Sequence, residues 1–174
     1  MHFCRRCGEP LSHVKDHIYT CPKNHLIFAN SSPSVSIWLL NRDGEVLLTK
    51  RGAEPGKGSY DSPGGFVDGS DETAEMTIAR ELKEELGLDP QQYSPPRYLT
   101  STAGWYEYKR ERLPTLDIVF FAMISSGARI TPKDDVESFV FAPITDINPD
   151  AIYIKAVREG FLELRRRVLE GSLL

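Results

Sequence analysis

Glu72-Thr73-Ala74-Glu75-Met76-Thr77-Ile78-Ala79-Arg80-Glu81-Leu82-Lys83-Glu84-Glu85-Leu86-Gly87-Leu88 is the stretch that decides the fold. Its spacing predicts a helix from about Glu72 to Leu86 that stops at Gly87, a residue suited to a helix C-terminus. Ala74, Ile78, Leu82 and Leu86 step by four and form one apolar stripe. Glu81, Glu84 and Glu85 stand at i, i+3 and i+4, so their side chains gather on one flank, with Glu85 at the edge of the stripe. Like charges so placed destabilise an isolated helix, and a carboxylate at the border of a core costs more unless something pairs with it. A hard divalent cation resolves both problems, because Mg²⁺ takes oxygen ligands and keeps positions for water and substrate phosphates. A solvated acidic helix face is the competing explanation for the helix taken alone.

Upstream, Pro63-Gly64-Gly65 precedes the helix by a short loop, and paired glycines let a backbone approach a ligand closely. An ordinary turn would use the same residues. Farther out, Val35–Leu40 and Glu45–Arg51 read as two strands of a hairpin joined by the turn Asn41-Arg42-Asp43-Gly44. Downstream, Tyr98–Tyr108 reads as a strand bent at Gly104, Leu116–Ile124 as an apolar strand and Phe139–Phe141 as a shorter one. Ile152–Leu169 reads as an amphipathic closing helix. The expected class is α+β.

Taken together, Gly65, Glu72 and Arg80-Glu81-Leu82-Lys83-Glu84-Glu85-Leu86-Gly87-Leu88 resemble the Nudix box, whose pattern is Gly, five residues, Glu, seven residues, then Arg-Glu-apolar-x-Glu-Glu-x-Gly-apolar. The match is complete from Glu72 onward, but Phe66 to Asp71 put six residues between Gly65 and Glu72, so the extra residue is assigned to the loop Asp68-Gly69-Ser70-Asp71. The resemblance implies a Nudix α/β/α sandwich around a mixed sheet over residues 31–174. It also implies Mg²⁺- or Mn²⁺-dependent hydrolysis of a nucleoside diphosphate linked to another group, such as ADP-ribose, a dinucleotide or a nucleotide sugar. Residue by residue it makes Glu81, Glu84 and Glu85 metal ligands with the Gly65 carbonyl in reach, Arg80 an orienter of a carboxylate and Glu72 a support of the box. Glu84 is one candidate for the general base. An acid of a later loop is another, and of Asp134, Asp135 and Glu137 the last is preferred because it just precedes an apolar strand. A homodimer is compatible with the resemblance. Two other functions stay open: a nucleotide sensor without turnover, which would not need the intact glutamate set, and isomerisation of an isoprenoid diphosphate.

All three cysteines, Cys4, Cys7 and Cys21, and all four histidines lie within residues 1–30, and Ser31-Ser32-Pro33 reads as a joint. Cys4-x2-Cys7 has the spacing of a zinc knuckle, and Cys21-x3-His25 can supply the remaining pair of a closed structural Zn²⁺ site, with His17 the second choice for the histidine. The segment resembles the small zinc ribbon that precedes the Nudix domain in NADH pyrophosphatase-like proteins, with Asn24 near the place of a fourth cysteine. Those proteins carry a Ser-Gln-Pro-Trp-Pro-Phe-Pro stretch after the box, which this sequence lacks; NADH is thereby a weaker candidate substrate.

Bulk numbers bound the rest. At 174 residues, with 40% hydrophobic and 26% charged content, the chain is the size of one domain with a small appendage. No run approaches the ~20 apolar residues of a membrane span, and the N-terminus has no secretory pattern, so a cytoplasmic protein without membrane partners is expected. A net charge of −4 argues against sequence-blind binding to nucleic acid, which is therefore not expected as a partner; a small nucleotide is. Arg165-Arg166-Arg167 reads as a solvated helix end. Trp105, Tyr106 and Tyr108, near Lys109, Arg110 and Arg112, could stack on a base or simply pack a strand. Arg51 could face a phosphate or solvent, and Trp38 reads as core.

Overall fold

The computed structural model describes residues 2–69, 73–109 and 111–173, which fall into two compact units, Met1–Ser31 and Ser32–Leu174. In the first, strands β1 (Ser12–Lys15), β2 (Ile18–Thr20) and β3 (Leu26–Phe28) form an antiparallel sheet. Its small core is Cys4, Cys21 and Ile27, with Leu11 and Tyr19 packed against them.

The second unit is a three-layer α/β/α sandwich around a mixed sheet. Its strands are β4 (Ser32–Leu40), β5 (Glu45–Arg51), β6 (Tyr60–Asp61), β7 (Gly64–Phe66), β8 (Arg97–Tyr108), β9 (Glu111–Met123) and β10 (Val136–Pro143), in the order β10-β5-β4-β9-β8 with β6 on β5 and β7 on β4. The pair β4–β9 is parallel and the others are antiparallel. Alternation along β4 decides the layers. Val35, Ile37 and Leu39 face helix α1 (Ala74–Leu86), where Ile78, Leu82 and Leu86 form its buried stripe. Trp38 and Leu40 face helix α2 (Lys155–Leu169) through Val157, Phe161 and Leu164. Each fully buried leucine of α1 contributes roughly 1.5–3 kcal/mol relative to leaving it in water.

Helix α1 starts at Ala74, two residues later than its sequence suggests. Thr73 caps it, its Oγ1 accepting from the Met76 N–H at 3.2 Å. Gly87 closes it at φ +68, with its N–H on the Lys83 carbonyl at 3.1 Å and the Leu88 N–H on the Leu82 carbonyl at 3.0 Å, a conformation that strongly favours glycine. Three other expectations need correction. Strand β8 runs in unbroken register through Gly104, opposite Thr115, and the irregularity lies between Tyr98 and Thr100. Gly104 instead makes room for α2, since a Cβ there would sit 3.2 Å from that of Ala156. The hairpin β8–β9 extends back to Glu111, and Ile152 is a core residue ahead of α2, not its first turn.

Candidate functional site

The box helix runs beside the loop that carries the glycine pair, and contacts between them build one end of a cleft. Arg80 organises it: one guanidinium nitrogen donates to Glu81 at 2.7 Å and to Glu84 at 3.0 Å, while the other donates to the Phe66 carbonyl at 3.0 Å. The Gly64 N–H donates to Glu85 at 3.2 Å. A Cβ on residue 65 would fall 2.1 Å from the Glu81 carboxylate, so a larger residue there would push that carboxylate aside. Burial, and next the neighbouring Glu81, push the Glu85 carboxyl up to about 9 despite the Gly64 N–H. Two carboxylates held together beside bare backbone, one resisting its own charge, form an oxygen-rich cradle that suits a divalent cation.

The cleft encloses about 260 Å³. Glu81, Glu85 and Gly65 line it, as do Asp134 and Asp135; Glu84 stands at the exposed side of Arg80 and is not part of the wall. The loop bearing the two aspartates is fixed to the end of α1, where the Lys133 N–H bonds the Glu85 carbonyl at 2.8 Å, and to β5, where the Gly52 N–H bonds the Asp135 carbonyl at 2.6 Å. Asp134 takes φ +48, a left-handed conformation that aspartate tolerates. The preferred base candidate, Glu137, is placed elsewhere. It sits at the register shift between Val136 and Ser138, where a bulge re-aims a side chain, and its carboxylate meets Lys50 at 3.3 Å outside the cleft. Asp134 and Asp135 take its place in the cleft wall. Glu72 and Asp71 lie outside the described residues.

Several cleft residues were not singled out from the sequence. Asp61, buried, forms an ion pair with Arg51, whose Nε also donates to the Pro55 carbonyl at 2.7 Å. Burial pushes the Asp61 carboxyl up, with Arg51 pulling against it. Arg51 thus faces the cleft, already paired. Asp117 accepts from Ser34 at 2.9 Å and from Ser36 at 2.5 Å, and burial drives it up as well. One charged residue amid the apolar run Leu116–Ile124 was the available signal for Asp117. Trp105 and Tyr106 both line the cleft; Arg112 lies over the Trp105 ring at 4.6 Å, and Tyr106 meets Phe66 edge-on at 5.5 Å. The arginine run on α2 is solvated only in part, with Arg166 exposed and Arg165 and Arg167 half-buried. Arg165 and Arg167 bond the Ile144, Ile147 and Leu99 carbonyls, and Arg166 pairs with Glu163 and Glu170.

In the first unit, Cys4, Cys7, Cys21 and His25 bring their ligand atoms within 4.8 Å of one another. Cys4 Sγ lies 3.6 Å from His25 Nδ1 and Cys7 Sγ 3.7 Å from Cys21 Sγ. A tetrahedral zinc with bonds of about 2.0–2.3 Å separates its ligand atoms by about 3.5–3.8 Å, which these two separations match. Asn24, near the place of a fourth cysteine, takes φ +59 in the turn after Cys21, and the next residue, His25, joins the three cysteines. Burial opposes ionisation of Cys4, yet hydrogen bonds from the Arg6 backbone and His25 outweigh it and hold the thiol down at about 6.

The NUDIX domain profile matches residues 30–163. An ADP-ribose pyrophosphatase of Methanocaldococcus jannaschii is 43% identical over 118 residues, covering 66% of this chain and 64% of that protein. An RNA pyrophosphohydrolase of Marinomonas sp. is 40% identical over 77 residues, so the chain spans only 44% of that relative's length. The crystal structure of a NUDIX hydrolase from Nitrosomonas europaea superposes with a TM-score of 0.70 at 20% identity, covering 99% of this chain and 94% of that one. The expectation that nucleic acid is no partner is overturned by the relatives named for RNA. Net charge bears on broad backbone binding, whereas a cleft that grips one pyrophosphate needs no basic surface.

Proposed function

This chain belongs to the Nudix hydrolase family, and on that premise we propose that it hydrolyses the pyrophosphate bond of a nucleoside diphosphate derivative, with Mg²⁺ or Mn²⁺ held by Glu81 and Glu85 beside Gly65 and with Glu84 at the rim. The observation that carries this reading is the close approach of the Glu81 carboxylate to residue 65, where a Cβ would displace it. The cation, when bound, neutralises phosphate oxygens and lowers the pKa of a water. Arg80 keeps Glu81 and Glu84 in place against the Phe66 carbonyl. Asp134 and Asp135, which line the cleft, are the acids assigned in this reading to take the proton of an attacking water, and Glu84 is the box alternative. In the first unit, Cys4, Cys7, Cys21 and His25 hold a structural Zn²⁺ in a zinc-ribbon-like segment, with no coordination position left for catalysis. Residues 1–31 act as that segment and the remainder as the hydrolase domain.

The identity to an ADP-ribose pyrophosphatase favours ADP-ribose or a close analogue, and the RNA-named relatives add a 5′-phosphorylated or capped RNA end. The test is a turnover panel of ADP-ribose, dinucleotides, nucleotide sugars and 5′-triphosphate RNA with and without Mg²⁺. Metal-dependent release of a nucleoside monophosphate or of pyrophosphate is expected. Tight binding with no turnover of any member would favour a sensor instead.

A further inference from the structure

The cleft has a second wall that the metal chemistry does not use. Asp117 stands on it, 4% exposed, in the parallel pair of β4 and β9. Ser34 donates to its Oδ1 and Ser36 to its Oδ2. A carboxylate oxygen has two lone pairs, so each hydroxyl leaves one acceptor direction open. The register fixes where this group lies. Phe66 is opposite Ser34 on β7, and Ser34 is opposite Asp117 on β9. At ~4.8 Å per strand, Asp117 is two spacings, roughly 10 Å, from the Gly65–Phe66 segment. That span separates a pyrophosphate from the base of the same nucleotide.

The surroundings suit a flat organic group. Trp105, Tyr106, Ile154, Val157 and Thr115 line the same cleft as Asp117. An apolar, aromatic recess with a few convergent polar atoms is the usual form of a small-molecule subsite. A phosphate there would meet a like charge, whereas an N–H donor would complete the carboxylate's hydrogen bonds.

We propose that Asp117, positioned by Ser34 and Ser36, selects a nucleobase that carries an exocyclic amine by accepting its N–H. A base with a carbonyl at that position sets oxygen against oxygen and is rejected. The inference deepens the nucleotide reading above and rests on it for the identity of the ligand.

Isothermal titration of the full chain with AMP and with IMP, in the presence of Mg²⁺, tests it without requiring turnover. The two nucleotides differ at this position by amine against carbonyl. The wild-type chain should bind AMP at least about tenfold more tightly, as expected when a site's acceptor is left facing another acceptor. Asp117→Asn keeps the shape but turns an amide donor toward the base, so the preference should shrink to near unity or reverse. Ser34→Ala keeps the carboxylate and should keep the sign of the preference. Equal affinity for AMP and IMP in the wild-type chain overturns the proposal whether or not the asparagine variant folds, and so does an unchanged ratio in a folded Asp117→Asn. No binding of either nucleotide overturns it too. Hydrolysis of the substrate panel without a base preference would sink only the role of Asp117, while a base preference without hydrolysis would sink only the hydrolase reading.

Discussion

Glu85 carries the sharpest consequence for pH. Its carboxyl titrates at about 9 in the folded, metal-free chain against an ordinary value of 4.5. Between those two values the unfolded chain has released the proton and the folded chain has kept it. Rising pH therefore favours unfolding across that window. In EDTA, thermal midpoints of the wild-type chain should fall from pH 5 to pH 8.5, and Glu85→Gln should flatten the slope. Divalent cations displace the same proton, so metal affinity should rise over the same window. An equally steep pH dependence in both proteins would show that Glu85 does not hold the proton. At residue 65, Gly65→Ala drives a methyl into the Glu81 carboxylate. Turnover should drop by about a hundredfold or more, because 1 Å of misplacement costs on that order, while Gly69→Ala, with open space around it, should be silent.

Helix α1 was legible in the sequence because its message is local. The stripe of Ile78, Leu82 and Leu86, the glutamate flank and Gly87 all lie within a few turns of one another. Its start was less legible: the helix is capped at Thr73, whose hydroxyl competes well for the first free N–H groups. The strands β4 and β5 were readable for the same reason, through a turn of four residues. What the sequence hid is what distant strands bring together. Ser34 and Asp117 are separated by 83 positions and meet only through the parallel register of β4 and β9. Asp61 meets Arg51 only because β6 folds back on β5. Glu137 looked placed for chemistry until the bulge in β10 sent it to Lys50. Two predictions belong to α1. Arg80→Ala removes the bonds to Glu81, Glu84 and the Phe66 carbonyl, and kcat should fall roughly 10- to 100-fold with the fold intact. Gly87→Ala should cost about 1 kcal/mol by denaturant titration, from the left-handed backbone alone, with kcat little changed.

The whole molecule divides into two units that differ in how they are stabilised, and the proposed function gives each its own metal. Residues 32–174 own two cores on either side of a sheet, and residues 1–31 own little more than Ile27 and the buried cysteines. A unit so small gains little from its own core, so the proposed zinc should supply much of its folding energy. One equivalent of zinc per chain is expected, and a strong chelator should abolish amide protection in β1–β3 while leaving it in β4, β9 and α1. Protection of β1–β3 that survives metal removal would contradict a structural zinc. Titration of Mn²⁺ followed by electron paramagnetic resonance bears most directly on the hydrolase domain. The wild-type chain, zinc-loaded at pH 7.5, should show one saturable site that Mg²⁺ displaces, weakened about a hundredfold or more in Glu85→Gln and in Glu81→Gln. Unaltered Mn²⁺ affinity in both variants would contradict the cradle beside Gly65 and the chemistry assigned to it.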